Sequence, residues 1–244
     1  AEALAPVLSG PNPEQDEAIA HEQGPLLIVA GPGTGKTRTL VQRMARLLRE
    51  GRALPSEITA ITFTRKAACE LRERLSDLLG PAARGLAVQT FHCLGLEVLR
   101  RYAAAAGLPD NFTVLDETAR QALLGQVLEA RGEKTSCARV ANLISASKAA
   151  LVEPAELAEI VHAYQGALTA AGAVDFDDLV GRAVQLLQAR EDVLHEARRR
   201  CRHLLVDEYQ DINAAQYRLI RLLAPADSHL CVVGDPDQAI YGFR

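Results

Sequence analysis

The stretch that most restricts how this chain can fold runs from Leu26 to Thr37. An apolar run, Leu26–Ala30, enters Gly31-Pro32-Gly33-Thr34-Gly35-Lys36-Thr37 and leaves into a helical pattern in which Leu40, Val41, Met44, Leu47 and Leu48 share one face. Strand, glycine-rich loop and helix in that order form the context that a phosphate-binding loop demands. Glycines let successive backbone N–H groups turn toward a polyphosphate, and the helix N-terminus adds partial positive charge. Lys36 is placed to reach the β- and γ-phosphates, and the Thr37 hydroxyl to hold Mg²⁺. Ala30 stands at the first-glycine position of the general pattern.

The same kind of apolar run, rich in β-branched residues, recurs at Ile58–Phe63, Leu86–Thr90, His203–Asp207 and His229–Gly234. Such runs suit strands buried on both faces of a parallel sheet. Helical patterns separate most of them; Arg65–Leu79 carries an apolar stripe with acids and bases outside. The expected fold is therefore α/β, a parallel sheet with helices on both faces. Between about Tyr102 and Arg200 the strand signal vanishes. The sequence there is rich in Ala, Leu, Glu and Arg, with breakers at Gly107–Pro109, Arg131–Gly132, Pro154 and Gly172. This reads as an inserted all-helical domain (102–200) between two parts of the sheet domain (1–101 and 201–244). Asp116 is the expected N-cap of a helix through Arg131, and Glu153–Pro154 the expected start of another.

Composition narrows the setting. A formal net charge of −4 over 244 residues provides no bulk positive field, so any nucleic-acid contact is a local groove. The five cysteines are scattered without a Cys-x-x-Cys pair, which argues against a zinc site or disulfide framework and for a reducing, cytoplasmic setting. No apolar run reaches the roughly 20 residues that span a bilayer, so no membrane association is expected.

A magnesium nucleotide also needs acids at the end of a neighbouring strand, and Leu204-Leu205-Val206-Asp207-Glu208 supplies them. Asp207 would hold Mg²⁺ through water, and Glu208 would orient and deprotonate the attacking water. No Asn-Lys-x-Asp guanine-reading motif occurs anywhere in the chain. Three further stretches follow expected strands: Ile61-Thr62-Phe63-Thr64-Arg65-Lys66-Ala67-Ala68, Gln89-Thr90-Phe91-His92, and Gly234-Asp235-Pro236-Asp237-Gln238-Ala239-Ile240-Tyr241-Gly242-Phe243-Arg244. They would line the sheet edge where α/β proteins put ligands. With these residues the chain closely resembles the UvrD/Rep family of superfamily 1 helicases from Asn12 to Arg244. The likeness is dense in the sheet domain and thin in the helical stretch, where Asp175-Phe176-Asp177-Asp178-Leu179 alone looks like a family signature.

The resemblance implies a RecA-like P-loop NTPase domain and an ATP-dependent motor moving 3′ to 5′ on single-stranded DNA. It implies that Asn12-Pro13-Glu14-Gln15 reads adenine through the Gln15 amide and that Arg38 lies against the base. Phe63, His92, Tyr241 and Phe243 would contact single-stranded DNA, with Thr64, Thr90 and Arg244 near its phosphates. Aromatic faces stack on any base, worth roughly 1–3 kcal/mol each, so they grip without reading sequence. Gln238 would sense the γ-phosphate for the DNA-binding loop. Phe243 stands where many relatives carry Trp, and Pro236 and Ala239 stand where relatives often carry Asp and Ser. Phe91, by contrast, is expected in the core. The run Arg198-Arg199-Arg200-Cys201-Arg202 is expected to close a helix, whose C-terminal end favours cations.

The second RecA-like domain, which by the resemblance supplies arginines across the nucleotide, is not expected within these 244 residues. Such arginines are worth about 10³–10⁵ in rate, so the 244-residue chain is expected to bind nucleotide and hydrolyse it poorly. Two other readings stay open: the motor subunit of a helicase–nuclease, and a nucleotide-gated binding or scaffold module.

Overall fold

The computed structural model describes residues 10–155, 157–226 and 228–239. Seven strands run in chain order: β1 (Leu26–Val29), β2 (Ile58–Thr62), β3 (Ala87–Thr90), β4 (Thr113–Val114), β5 (Ala173–Val174), β6 (His203–Val206) and β7 (His229–Gly234). The helices are α1 (Pro13–Ala20), α2 (Lys36–Arg49), α3 (Arg65–Leu79), α4 (Phe91–Arg101), α5 (Glu117–Ala130), α6 (Cys137–Ala150), α7 (Ala158–Ala170), α8 (Asp178–Ala189), α9 (Glu191–Arg200) and α10 (Ala214–Leu223). The main sheet has the order β1-β7-β6-β2-β3, and β1–β7, β7–β6 and β6–β2 are parallel. All five runs read as strands in the sequence are strands of this sheet.

The chain divides into two compact units. Among the described residues the first holds 10–88, 200–210, 226 and 228–239. Its core lies between sheet and helices: Leu40 and Met44 of α2, Leu71 and Leu75 of α3, and Ala60, Leu205, Cys231 and Val233 of the strands. β2 and β6 are buried at every position, which is why their sequences are mostly apolar rather than alternating, with Thr59, Thr62 and His203 buried among the apolar residues. β1 lies at a sheet edge and alternates, leaving Leu27 and Val29 exposed.

Among the described residues the second unit holds 89–155, 157–199 and 211–225. As a compact unit it starts at Gln89 and includes α10. Leu124, Leu128, Ile144, Ile160, Tyr164 and Leu168 form its centre. Within it α4 and α8 pack closely at Gly95, where a Cβ would stand 2.4 Å from the Leu179 carbonyl oxygen. Two details depart from the expectation. Strands are not absent between 102 and 200: β4 and β5 form a parallel pair, Thr113 opposite Ala173 and Val114 opposite Val174. Two residues each are too short to leave a periodic signal. And α7 starts at Ala158, not at Pro154, because Leu157 adopts a left-handed φ of 63° that interrupts the helix there. Asp116 does cap α5, its carboxylate accepting from the Ala119 N–H at 2.8 Å.

Candidate functional site

Parallel pairing puts the C-terminal ends of β1, β7 and β6 side by side in the first unit. The loops after them therefore meet, and β7 stands between the glycine-rich loop and the paired acids. In that loop Gly33 (φ 72°) and Gly35 (φ 90°) take backbone conformations that favour glycine. The Thr34 hydroxyl donates to the Gly31 carbonyl at 2.8 Å, and the Ala30 N–H donates to the Gly234 carbonyl at 3.1 Å. Pro32 is exposed. The helix α2 then starts at Lys36 with Gly35 as N-cap, no side chain capping it and no acid in its first turn. Its leading N–H groups and dipole are thus left for an external anion. Thr37 is half-buried in that same turn.

Lys36 Nζ lies 3.8 Å from Glu208 Oε2, so the loop's ammonium and the acid beyond β6 face each other across the edge. Asp207 is 8% exposed. Burial, then the neighbouring Glu208 charge, raise its carboxyl above the ordinary value, with Lys36 acting in the opposite direction. A buried acid so placed has too little positive charge around it, and a divalent cation at this edge fits that deficit. Among the described residues no group of three or more His, Cys, Asp or Glu side chains could hold a metal alone. Mg²⁺ needs none, since it binds through one or two protein oxygens and the phosphates. Glu208 itself has a left-handed φ of 52°, unusual for a non-glycine residue.

Asn12 and Gln15 form a capping box at the start of α1. The Gln15 carbonyl accepts from the Asn12 N–H (3.1 Å) and from Arg38 (3.1 Å), while its amide nitrogen donates to the Thr34 carbonyl (2.6 Å). Gln15 and Arg38 are therefore tied to the glycine-rich loop, and pairing with a base edge requires exchanging one of these bonds. A Cβ on Gly35 would meet Gln15 Nε2 at 3.1 Å, a second reason for glycine there. Gln238 donates its amide to Asp235, whose other oxygen accepts from the Asp237 N–H.

With the loop, the acids and Gln238 converging on one edge, the comparison with known families becomes decisive: the UvrD/REP helicase N-terminal domain matches residues 11–244. The chain belongs to that family. It is 44% identical over 264 residues to "ATP-dependent DNA helicase UvrD1" of Mycobacterium tuberculosis, covering 98% of this chain. It is 41% identical to "ATP-dependent DNA helicase PcrA" of Leuconostoc citreum (97% of this chain) and 40% identical to the PcrA of Bacillus subtilis (98%). The chain spans 34% of the length of each of these curated relatives. No helix among the described residues is long and apolar enough to cross a membrane.

The residues that the UvrD/REP resemblance assigns to DNA are distributed unevenly. Phe63, half-buried, and Thr64 follow β2 at the same end of the first unit's sheet. Thr90 and His92 belong to the second unit. Both threonines act as N-caps, Thr64 accepting from the Ala67 N–H (3.1 Å) and Thr90 from the Cys93 N–H (3.3 Å). His92 stacks on Phe176, ring centroids 4.0 Å apart, and Phe176 is 45% exposed. Phe91 beside it is buried in the core. Tyr241, Phe243 and Arg244 lie outside the described residues.

Two groups escaped the sequence reading. Gln210 bonds both Glu208 and the loop after β7. Behind Phe176, Asp175 and Asp178 share Lys148 at 2.8 and 2.7 Å, and Tyr164 donates to Asp175 at 3.0 Å. The signature spacing flagged 175–179, but nothing local pointed to Lys148 or Tyr164 as partners.

Proposed function

We propose that this chain is the ATP-binding front portion of an ATP-dependent DNA helicase, a motor that translocates 3′ to 5′ on single-stranded DNA in the cytoplasm. The observation that carries this reading is the facing of Lys36 and Glu208 at 3.8 Å, beside an α2 N-terminus that no side chain caps. Backbone N–H groups of Gly31 and of Gly33 to Thr37 cradle the β- and γ-phosphates of ATP, Lys36 neutralises the oxygens that gain charge, and Glu208 accepts the proton of the attacking water. Thr37 and Asp207 hold Mg²⁺, which supplies charge neutralisation at the phosphate oxygens. Gln15 and Arg38 form the base end of the site. Gln238 reports the γ-phosphate to the following segment.

On the DNA side, the exposed Phe176 ring extends the aromatic surface of His92, and Phe63, Tyr241 and Phe243 offer further stacking faces, with Thr64, Thr90 and Arg244 at phosphates. The RecA-like ATP-binding domain comprises 1–101 and 201–244, with 102–200 as its helical insertion. A second RecA-like domain supplies the arginines that complete the transition-state charge, so this chain binds ATP and releases phosphate slowly.

The test is a titration of a fluorescent ATP analogue with Mg²⁺ into the wild-type chain and into Lys36→Ala, followed by phosphate release with and without single-stranded DNA. Saturable binding that the substitution abolishes, with little release, supports the reading. Equal binding by both proteins contradicts the assignment of the phosphate loop, and brisk DNA-stimulated turnover contradicts the need for a second domain.

A further inference from the structure

Glu208 sits in a backbone conformation that an L residue rarely adopts, so its direction depends on what grips it. The carboxylate oxygen Oε2 has two neighbours. Lys36 Nζ stands 3.8 Å away, beyond hydrogen-bond length, whereas the Gln210 amide nitrogen donates to it at 2.8 Å. The other end of the same amide turns the opposite way: Gln210 Oε1 accepts from the Asp235 N–H at 2.9 Å. Asp235 in turn receives the Asp237 N–H and the Gln238 amide. One side chain thus links the acid beyond β6 to the loop beyond β7. The room for it comes from Gly234, where a Cβ would stand 2.8 Å from Gln210 Oε1 and 3.5 Å from Tyr209 Cβ.

We infer that Gln210 is a positioning residue that holds Glu208 off Lys36 and couples its direction to the 235–238 loop. This rests on the reading of Lys36 and Glu208 as nucleotide-site groups. Without the amide, the nearest cation to the Glu208 carboxylate is Lys36, and attraction at the partly desolvated edge draws the two into a direct ion pair. The ammonium is then occupied before any phosphate arrives. A glutamine suits this place because its amide offers a neutral donor and a neutral acceptor at one reach; a charged side chain would repel Glu208 or compete for it.

The experiment uses the 244-residue chain in two assays. Affinity is read with N-methylanthraniloyl-ATP and Mg²⁺, and amide hydrogen exchange is followed by NMR without nucleotide. In Gln210→Ala the Asp235 N–H should exchange faster, and nucleotide affinity should fall by about three- to tenfold, the size of one charge-assisted bond redirected. The Glu208→Gln/Gln210→Ala double variant should regain that affinity, because a neutral amide cannot hold the ammonium. Gly234→Ala, which pushes the Gln210 carbonyl aside without removing it, should reproduce both effects and serves if Gln210→Ala does not fold. Unchanged binding and exchange in Gln210→Ala and Gly234→Ala overturn the inference. So does an affinity loss that Glu208→Gln fails to rescue, which marks a merely structural glutamine. If Lys36→Ala binds as tightly as the wild type, the underlying nucleotide-site reading is what has failed.

Discussion

Two clusters of charge in this chain have similar composition and opposite character. At the sheet edge Lys36, Asp207 and Glu208 stand near one another without closing: the ion pair is 3.8 Å long, the helix end is uncapped, and Asp207 is held above its ordinary pKa by burial and by Glu208. In the second unit Asp175 and Asp178 close completely. They cap each other's backbone N–H groups at 2.9 and 3.2 Å and share Lys148; Asp175 also accepts from the Tyr164 hydroxyl, and Arg120 lies 3.3 Å from Asp177 and 3.6 Å from Asp175. Burial opposes ionisation of both, yet Lys148 holds the Asp175 carboxyl below its ordinary value while Asp178 stays above. Charges that satisfy one another build architecture, and here they fix the four-residue stretch that presents Phe176. Charges left incomplete leave an edge that an external ion can complete.

The largest effect should come from breaking the closed cluster. Lys148→Met strips two buried carboxylates of their cation and should cost about 3–5 kcal/mol in urea denaturation. Lys36→Met at the open edge should change stability by less than about 1 kcal/mol while abolishing nucleotide binding. Comparable losses from the two would erase the distinction.

Acidification tests a third polar group, at the opposite end of the same sheet. His203 stacks on His229 with centroids 4.5 Å apart, and its Nε2 is buried without a partner. Burial, then the His229 and Arg202 charges, lower its pKa to about 4. The folded state thus favours the neutral ring, so its contribution is fully present above the unfolded pKa, about 6.5, and is lost as pH falls from there toward 4. The wild type should lose about 2 kcal/mol more than His203→Gln over that window, followed by thermal or urea unfolding. Equal pH dependence would show that the imidazole is solvated.

Smaller effects sharpen the picture. Tyr164→Phe removes one donor from Asp175 and should cost about 1–2 kcal/mol by urea denaturation. Thr64→Ala and Thr90→Ala each remove a helix cap, worth about 1 kcal/mol. If the caps are also DNA contacts, both variants should weaken oligo(dT) binding, measured by fluorescence anisotropy, beyond what Phe91→Leu in the core does.

The contrast also explains what could be read from sequence. The central strands β2 and β6 were legible because strands covered on both faces are apolar over most of their length, and the glycine-rich loop because its glycines answer to backbone geometry. Asp207 and Glu208 could be found because they follow such a strand directly. Gln210 could not: a glutamine two residues past an acid carries no signal until β7 is known to lie beside β6. Lys148 and Tyr164 lie 27 and 11 residues from Asp175, so only folding reveals the cluster. The start of α7 was missed because the left-handed turn at Leu157 overrides the helix-starting preference of Pro154.

The most direct test of the central claim is a ¹H–¹⁵N titration of the chain with MgATP. The account predicts the largest shifts at the amides of Gly33, Gly35, Lys36 and Thr37, with smaller ones after β6 and β7, all lost in Lys36→Ala. Shifts scattered elsewhere, or unchanged by that substitution, would mean that the open edge of the first unit is not where the nucleotide binds.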